Sequence, residues 1–320
     1  MSSSYPESAA ERDRWILARR PMRGELNPHE PYAYFMEEER SAVGEIVPVA
    51  TILLTNRECP FRCVMCDLWR NTLSEPVSRG AIPEQIDFAL MRSPPAHTVK
   101  LYNSGSFFDS RAIPVQDYAT IAVCIRKCER VIVECHPALV GERCVEFRNL
   151  LTGRLEVAMG LETAHSEVLE KLNKRMTLEQ FAFAANFLRA NAIDLRVFIM
   201  LQPPFMKPGE ALYWAQRSLD FAFDCGAIAA TLIPTRAGNG AMEVLATDGD
   251  FAPPKLSLLE DAAWYGLGLK RGRVFLDLWN LKRGFDCAGC FEERVERLRE
   301  MNLQQKTSAA IICDQCQEHE

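Results

Sequence analysis

The 320 residues carry 37 Lys and Arg against 43 Asp and Glu, a net charge of −6, so nothing global draws the chain to nucleic acid. With 48% hydrophobic and 25% charged residues, no apolar stretch approaches the ~20 residues of a membrane span. The polar start is no secretory signal, which points to the cytoplasm, and there twelve clustered cysteines indicate metal rather than disulfides.

Residues 1–48 read as an N-terminal extension, with a helix over 11–20 stopped by Pro21 and a second short helix over 32–39. A strap packed on the body of the protein suits this segment better than a polyanion site at Arg19, Arg20 and Arg23. Residues 49–54 are an apolar, β-rich run that begins after Pro48, where no ladder donor is needed. This strand enters a polar loop carrying Cys59, Cys63 and Cys66. Helix-like and strand-like segments then alternate: a helix over 82–92, a strand over 98–102, a helix over 113–128, and strands over 130–135 and 155–159. A helix opens at Thr177 with Gln180 completing a capping box. A strand over 195–201, a helix over 210–224 stopped at Gly226, and a strand over 228–233 follow.

Six strands with five intervening helices imply a parallel sheet with right-handed crossovers. The α/β pattern fits a partial (βα)6 TIM-like barrel over 49–236, or a doubly wound open sheet. In either, the loops after the C-terminal strand ends build the site. Residues 237–320 read as a linker and a cysteine-rich tail, with a helix over 256–267, a strand over 274–278 and a helix over 291–301.

Three soft thiolates on one short loop select iron–sulfur or zinc. A cluster held by three thiolates keeps one iron position open; a structural zinc with a distant fourth ligand is the alternative. The C-x3-C-x2-C spacing directly after the first strand of a β/α repeat resembles the radical S-adenosylmethionine (SAM) superfamily. That resemblance implies a [4Fe–4S] cluster on Cys59, Cys63 and Cys66 with SAM on the open iron. It also implies reductive cleavage to a 5′-deoxyadenosyl radical, hydrogen-atom abstraction, and an electron donor of flavodoxin or ferredoxin type. Met65 stands where the superfamily more often packs an aromatic near the adenine. Asn103, Ser104, Gly105 and Ser106 fall where a Gly-rich stretch receives the SAM amino group, small residues allowing close backbone approach. Glu134 and Glu162 end two strands, where buried carboxylates need partners such as ribose hydroxyls or an ammonium. Gly160-Leu161-Glu162-Thr163 with the later Leu169–Arg175 stretch resembles enzymes of the elongator and coproporphyrinogen oxidase type. This implies Arg175 as the base that reaches the SAM carboxylate. Cys135, beside His136 at a strand end, is the candidate catalytic residue.

Cys287-x2-Cys290 and, 22 residues on, Cys313-x2-Cys316 bring four thiolates to one centre. The spacing resembles a zinc ribbon and also suits a second, auxiliary iron–sulfur cluster. Lys270, Arg271, Arg273, Lys282 and Arg283, with Phe275 and Trp279 interleaved, form a basic stretch: either a seat for RNA phosphates or a solvated surface. The combination of Cys63-Val64-Met65-Cys66, the Lys100–Asp109 stretch and Ile113-Pro114 resembles more specifically the radical SAM subunit of archaeosine synthase and its uncharacterised bacterial relatives. The resemblance spans about residues 49–316. It implies a modified, deazaguanine-type nucleoside in tRNA as substrate, with a carbon–nitrogen bond cleaved. A peptide or small metabolite is the second substrate class, and a non-enzymatic zinc- and RNA-binding protein is the competing reading.

Overall fold

The computed structural model describes residues 4–281, 284 and 286–317; Lys282 and Arg283 of the basic stretch lie outside the described residues. One sheet runs in sequence order through β1 (Ala33–Arg40), β2 (Ile46–Leu53), β3 (Thr98–Tyr102), β4 (Arg130–Glu134), β5 (Arg154–Glu162), β6 (Asp194–Leu201), β7 (Ala229–Pro234) and β8 (Arg273–Leu276). β1 pairs antiparallel with β2, and every later pairing is parallel. The helices are α1 (Ala9–Leu17), α2 (Ala81–Leu90), α3 (Tyr118–Cys124), α4 (Glu142–Leu150), α5 (Ser166–Lys171), α6 (Leu178–Ala190), α7 (Ala211–Asp224), α8 (Ala241–Asp248), α9 (Leu256–Leu269), α10 (Phe291–Gln304) and α11 (Asp314–Gln317). The capping box at Thr177 and Gln180 is present and opens α6.

Strand side chains alternate between two environments. One parity, including Leu101, Val133, Val157, Val197 and Leu232, joins Ile86, Phe147, Phe181 and Leu219 from the helices in a single buried core. The other parity points into a lumen, and at the N-terminal end of the strands it is charged. Arg196 donates from Nη2 to Glu39 Oε1 at 2.5 Å and from Nη1 to Oε2 at 3.0 Å. Five strand spacings separate β1 from β6, roughly 24 Å on a flat sheet. That contact therefore requires the sheet to curl into a half-barrel. Around it Lys100 reaches Glu37 and Glu39, Arg196 Nε reaches Glu156, Arg130 bridges Glu156 and Asp194, and Arg273 approaches Glu39 at 3.4 Å. Four cations face four carboxylates, so the floor of the lumen is close to neutral. Burial opposes the charge on Glu39, yet Arg196 and Lys100 hold its carboxyl well below the usual range.

The segment expected as a helix over 32–39 is β1. Its period-2 signal is hidden because two of its inward positions are Glu37 and Glu39, whose cationic partners Lys100, Arg196 and Arg273 lie far along the chain. The tail strand, expected over 274–278, is β8 and extends the parallel sheet beyond β7. Its outer edge is sealed by one side chain from α10 and one from the residue that ends it. The amides of Asn302 and Gln305 each exchange two hydrogen bonds with the backbone of Leu276 and Val274, at 2.7–2.9 Å. No helix among the described residues is long and apolar enough to cross a membrane.

Candidate metal and cofactor site

The cysteine loop follows β2 at the C-terminal rim of the sheet, opposite the charged floor. Distant segments clamp it. Val64 N–H donates to Leu172 O at 3.0 Å, and Asn173 Nδ2 donates to Arg62 O at 2.8 Å. Asn239, just before α8, donates to both Val64 O (2.7 Å) and Cys66 O (3.1 Å). Glu58 gathers Arg20 at 2.7 Å, Arg62 at 3.0 Å, and Arg23. The N-terminal arginines are thus engaged within the molecule, as a strap requires. Phe61, between the first two cysteines, stacks on His136 with ring centroids 3.6 Å apart and planes 13° from parallel. The His136 imidazole accepts the Ala138 N–H at Nδ1 (3.1 Å), which leaves Nε2–H to donate to Lys174 O at 2.9 Å. Burial, with the Lys174 charge nearby, pushes its pKa down to about 3, so the ring stays neutral.

Burial pushes the Cys59 thiol up to about 11 and those of Cys63 and Cys66 to about 12. Three such thiols ionise together only around a strongly cationic centre, and a thiolate-loving metal group fits this donor set. Lys174 lies within the field of Cys63 and Cys59. Its Nζ donates to Glu162 Oε1 at 2.5 Å; although burial opposes the ammonium, Glu162 holds its pKa above the usual lysine value. Glu162 reaches this position through a register shift between Gly160 and itself, which places it in the left-handed region at φ 65°. The pair lies directly over Gly160, where any Cβ would collide with Glu162 Oε1 and Lys174 Nζ.

The 103–106 turn after β3 packs against the same loop. A Cβ on Gly105 would stand 3.2 Å from Cys59 Cβ. Asn103 Nδ2 donates to Asn56 Oδ1 at 3.2 Å, Asn56 Nδ2 donates to the backbone carbonyl of Asn103 at 2.6 Å, and Asn103 Oδ1 is left buried with no protein partner. Ser104, at φ 54°, meets Tyr32 Oη at 3.1 Å, and Ser106 Oγ accepts the His136 N–H at 2.7 Å. Glu134 on the lumen side accepts the N–H groups of Asn103 (2.9 Å) and Ser104 (3.1 Å), while burial pushes its carboxyl up to about 7. Ser104, Glu162, Asn173, Arg175 and Gln202 all have positive φ. Strain of that kind is stored where a surrounding structure enforces it, and here all five lie at this rim.

Other expected site residues lie elsewhere. Arg175 turns away from Glu162 toward Asp13 (2.8 Å) and Ala9 O (3.0 Å). Cys135 is a core thiol, 3% exposed, facing Cys144 of α4 on the helix side and donating to His136 O at 3.2 Å. Met65 packs on a small cluster with Trp15, Ile16 and Met206. The basic stretch is not a continuous surface: Arg273 is buried in the lumen floor and Arg271 pairs with Asp224 at 2.8 Å. Sequence reasoning passed over Lys174, one position from the base it selected. It also missed Asn56, Phe61 and Asn239, whose partners are too distant in the chain to leave a local signal.

The sulfurs of Cys287, Cys290, Cys313 and Cys316 all lie within 4.8 Å of one another, with 3.9 Å between Cys287 and Cys313 and 3.6 Å between Cys290 and Cys316. This group could bind a metal ion. It joins the start of α10 to the segment that follows that helix.

No family model matches the chain. It is similar to an uncharacterised protein of Methanocaldococcus jannaschii, 24% identical over 302 residues covering 84% of this chain and 80% of that one. It is also similar to the archaeosine synthase subunit beta of Methanosarcina acetivorans, 29% identical over 273 residues covering 80% and 78%. Among solved structures, coproporphyrinogen III oxidase of Escherichia coli, a radical SAM enzyme, aligns with a TM-score of 0.47 at 12% identity. That alignment spans 84% of this chain and 56%, just over half, of the other. The chain resembles the radical SAM superfamily and, within it, the beta subunit of archaeosine synthase.

Proposed function

We propose that the chain is a radical SAM enzyme whose Cys59, Cys63 and Cys66 hold a [4Fe–4S] cluster. One observation carries the reading: three half-buried cysteines on a clamped loop, beside a buried Lys174–Glu162 pair at the mouth of the lumen. When bound, the cluster and SAM supply one-electron cleavage of the sulfonium and abstraction of a hydrogen atom from the substrate. The chain's own residues bind and orient. Lys174 takes the part assigned by resemblance to Arg175, offering a cation to the SAM carboxylate. Glu134 and the 103–106 turn offer acceptors to the ammonium and ribose, with the orphaned Asn103 Oδ1 among them. Phe61 and His136 hold the loop in place. The Tyr102–Phe198 pair, in edge-to-face contact, lines the lumen where the substrate enters.

The resemblance to archaeosine synthase subunit beta supports a deazaguanine-type nucleoside in tRNA as substrate. At the four C-terminal cysteines we assign zinc. A tetrahedral ion with bonds of 2.3 Å sets its sulfurs about 3.8 Å apart, close to the 3.6 and 3.9 Å found here. A cubane spreads its thiolates over four irons and holds them further apart.

Anaerobic reconstitution tests the reading. The expected result is a brown chromophore bleached by dithionite, with 5′-deoxyadenosine formed from SAM, both lost when Cys59, Cys63 and Cys66 are replaced by Ala. Zinc alone at both cysteine groups, with no SAM cleavage, would overturn it.

A further inference from the structure

A pocket of about 600 Å³ opens between α5 and the first turn of α7, its wall completed by the loop after β6. It shares no residue with the cysteine loop, the 103–106 turn or the Lys174–Glu162 pair. Its walls are flat rings. Trp214 lies on His165 with ring centroids 4.3 Å apart and planes 33° from parallel, and Tyr213, 56% exposed, meets Trp214 edge to face at 5.2 Å. Phe205, in the left-handed region at φ 68°, adds a further ring. The charges around these rings are uncommitted. Elsewhere at this rim ions pair closely, Arg12 with Glu170 and Arg175 with Asp13, both at 2.8 Å. In the pocket, Glu167 and Lys171 stand one turn apart on α5, yet neither forms an ion pair among the described residues. Lys171 Nζ lies instead over the Phe205 ring, 5.7 Å from its centroid. Lys207 and Glu210 approach only to 3.8 Å on the surface, a contact worth little. The His165 imidazole and the Tyr213 hydroxyl have no hydrogen-bond partner among the described residues.

We propose that this pocket is a separate ligand site that takes a purine nucleotide. The inference goes beyond the cluster reading and does not depend on it. A base needs an aromatic platform, which Trp214 and His165 supply; such stacking accepts any base and favours the larger rings of purines. The edge of a base presents amino and ring N–H donors, and the carboxylates of Glu167 and Glu210 are acceptors in the same pocket. A phosphate needs cations, and Lys171 and Lys207 are the two on offer. A simple anion would meet both carboxylates, and an apolar ring would strand four charges. A nucleotide answers the rings and both signs of charge together. Guanine, whose N1–H and N2–H donors lie side by side, matches the two oxygens of one carboxylate. This chemistry is common to a free mononucleotide and to an unpaired nucleotide of an RNA strand.

The test is equilibrium dialysis of guanosine monophosphate (GMP) against the reconstituted chain, with SAM in excess so that its own site is filled. The expected result is one GMP bound per chain, more tightly than guanosine because of the phosphate. Trp214→Leu should weaken GMP and guanosine alike, by roughly tenfold, through lost stacking. Lys171→Gln combined with Lys207→Gln should leave guanosine unchanged and bring GMP down to its level. 5′-Deoxyadenosine formation by that exposed double variant should match the wild type, which shows the chain intact. A short single-stranded RNA separates the two sources. Binding tighter than GMP, and weakened by the same variants, assigns the pocket to a nucleotide of RNA; binding no tighter than GMP assigns it to a free nucleotide. Absence of bound GMP, displacement of GMP by SAM, or unchanged affinity in all the variants would overturn the proposal. Bound GMP on a wild-type chain that cannot cleave SAM would remove the cluster reading and leave this one standing.

Discussion

Lys174 and Arg175 are adjacent in the chain and serve opposite sides of the rim: Lys174 reaches inward to Glu162 at 2.5 Å, Arg175 outward to Asp13 at 2.8 Å. Positive φ at both Asn173 (58°) and Arg175 (60°) turns the backbone so that neighbours diverge. Lys174→Met leaves Glu162 buried and unpaired, and should cost about 3–5 kcal/mol of stability. 5′-Deoxyadenosine formation should fall with it by roughly 100-fold, the effect of losing a positioned binding group. Arg175→Met removes a half-exposed pair and should cost no more than about 1 kcal/mol. Melting temperature and SAM cleavage, measured side by side, separate the two; equal losses would contradict the assignment of the inward role to Lys174.

The Glu134 carboxyl, pushed up to about 7 by burial, sets a pH dependence. Its folded pKa lies above the unfolded value. Its stabilising contribution is therefore complete below about 4.5 and lost as pH rises through 7. Function runs the other way, because only the ionised form, dominant above 7, attracts an ammonium. SAM affinity should rise between pH 6 and 8, by up to about tenfold per unit below the pKa. Glu134→Gln should bind weakly with a flat profile. Equilibrium binding of SAM across that range decides the matter, and His136, neutral throughout, adds nothing to it.

Arg196, 2% exposed, holds Glu39 and Glu156 at the floor of the lumen. Arg196→Met should destabilise the fold by about 3–5 kcal/mol, since two buried carboxylates lose their main partner. Pairing it with Glu39→Gln should recover part of that loss, and a double-mutant cycle in denaturant measures the coupling. Glu39 is depressed, so its contribution is present above the unfolded carboxylate pKa and lost only as pH falls through its lower folded value.

Metal analysis should find one zinc per chain that survives iron chelation and is lost in Cys290→Ser. Without it, the segment after α10 should become open to protease between residues 305 and 313, where exposed backbone is held by few contacts besides Arg297. Dithionite-reducible colour should remain, because the cysteine loop belongs to the other end of the chain. Loss of both together would mean that the two centres are one folding unit.

The parallel strands were legible because their helix-facing positions are apolar and mostly Val, Ile and Leu, as at Val99 and Leu101 or Val131 and Val133. The cysteine loop stood out through its spacing together with its place directly after the first parallel strand. β1 was not, because a strand whose inward residues are glutamates reads as a helix surface until Lys100 and Arg196 are brought to it. Lys174 was invisible for a related reason: in Lys-Arg the choice of which cation turns inward is made by two left-handed residues, not by composition. His136 read as a strand-end neighbour of Cys135, whereas its ring supports Phe61.

The amides of Asn302 and Gln305 that finish the border of β8 have a consequence for association between molecules. A half-barrel is open, and an unfinished strand at its margin is a template on which another polypeptide can add itself. Two side chains mimic the missing neighbour and quench that template. Replacing both with Ala should leave a monomer that is well folded when dilute and oligomerises, strand to strand, as concentration rises.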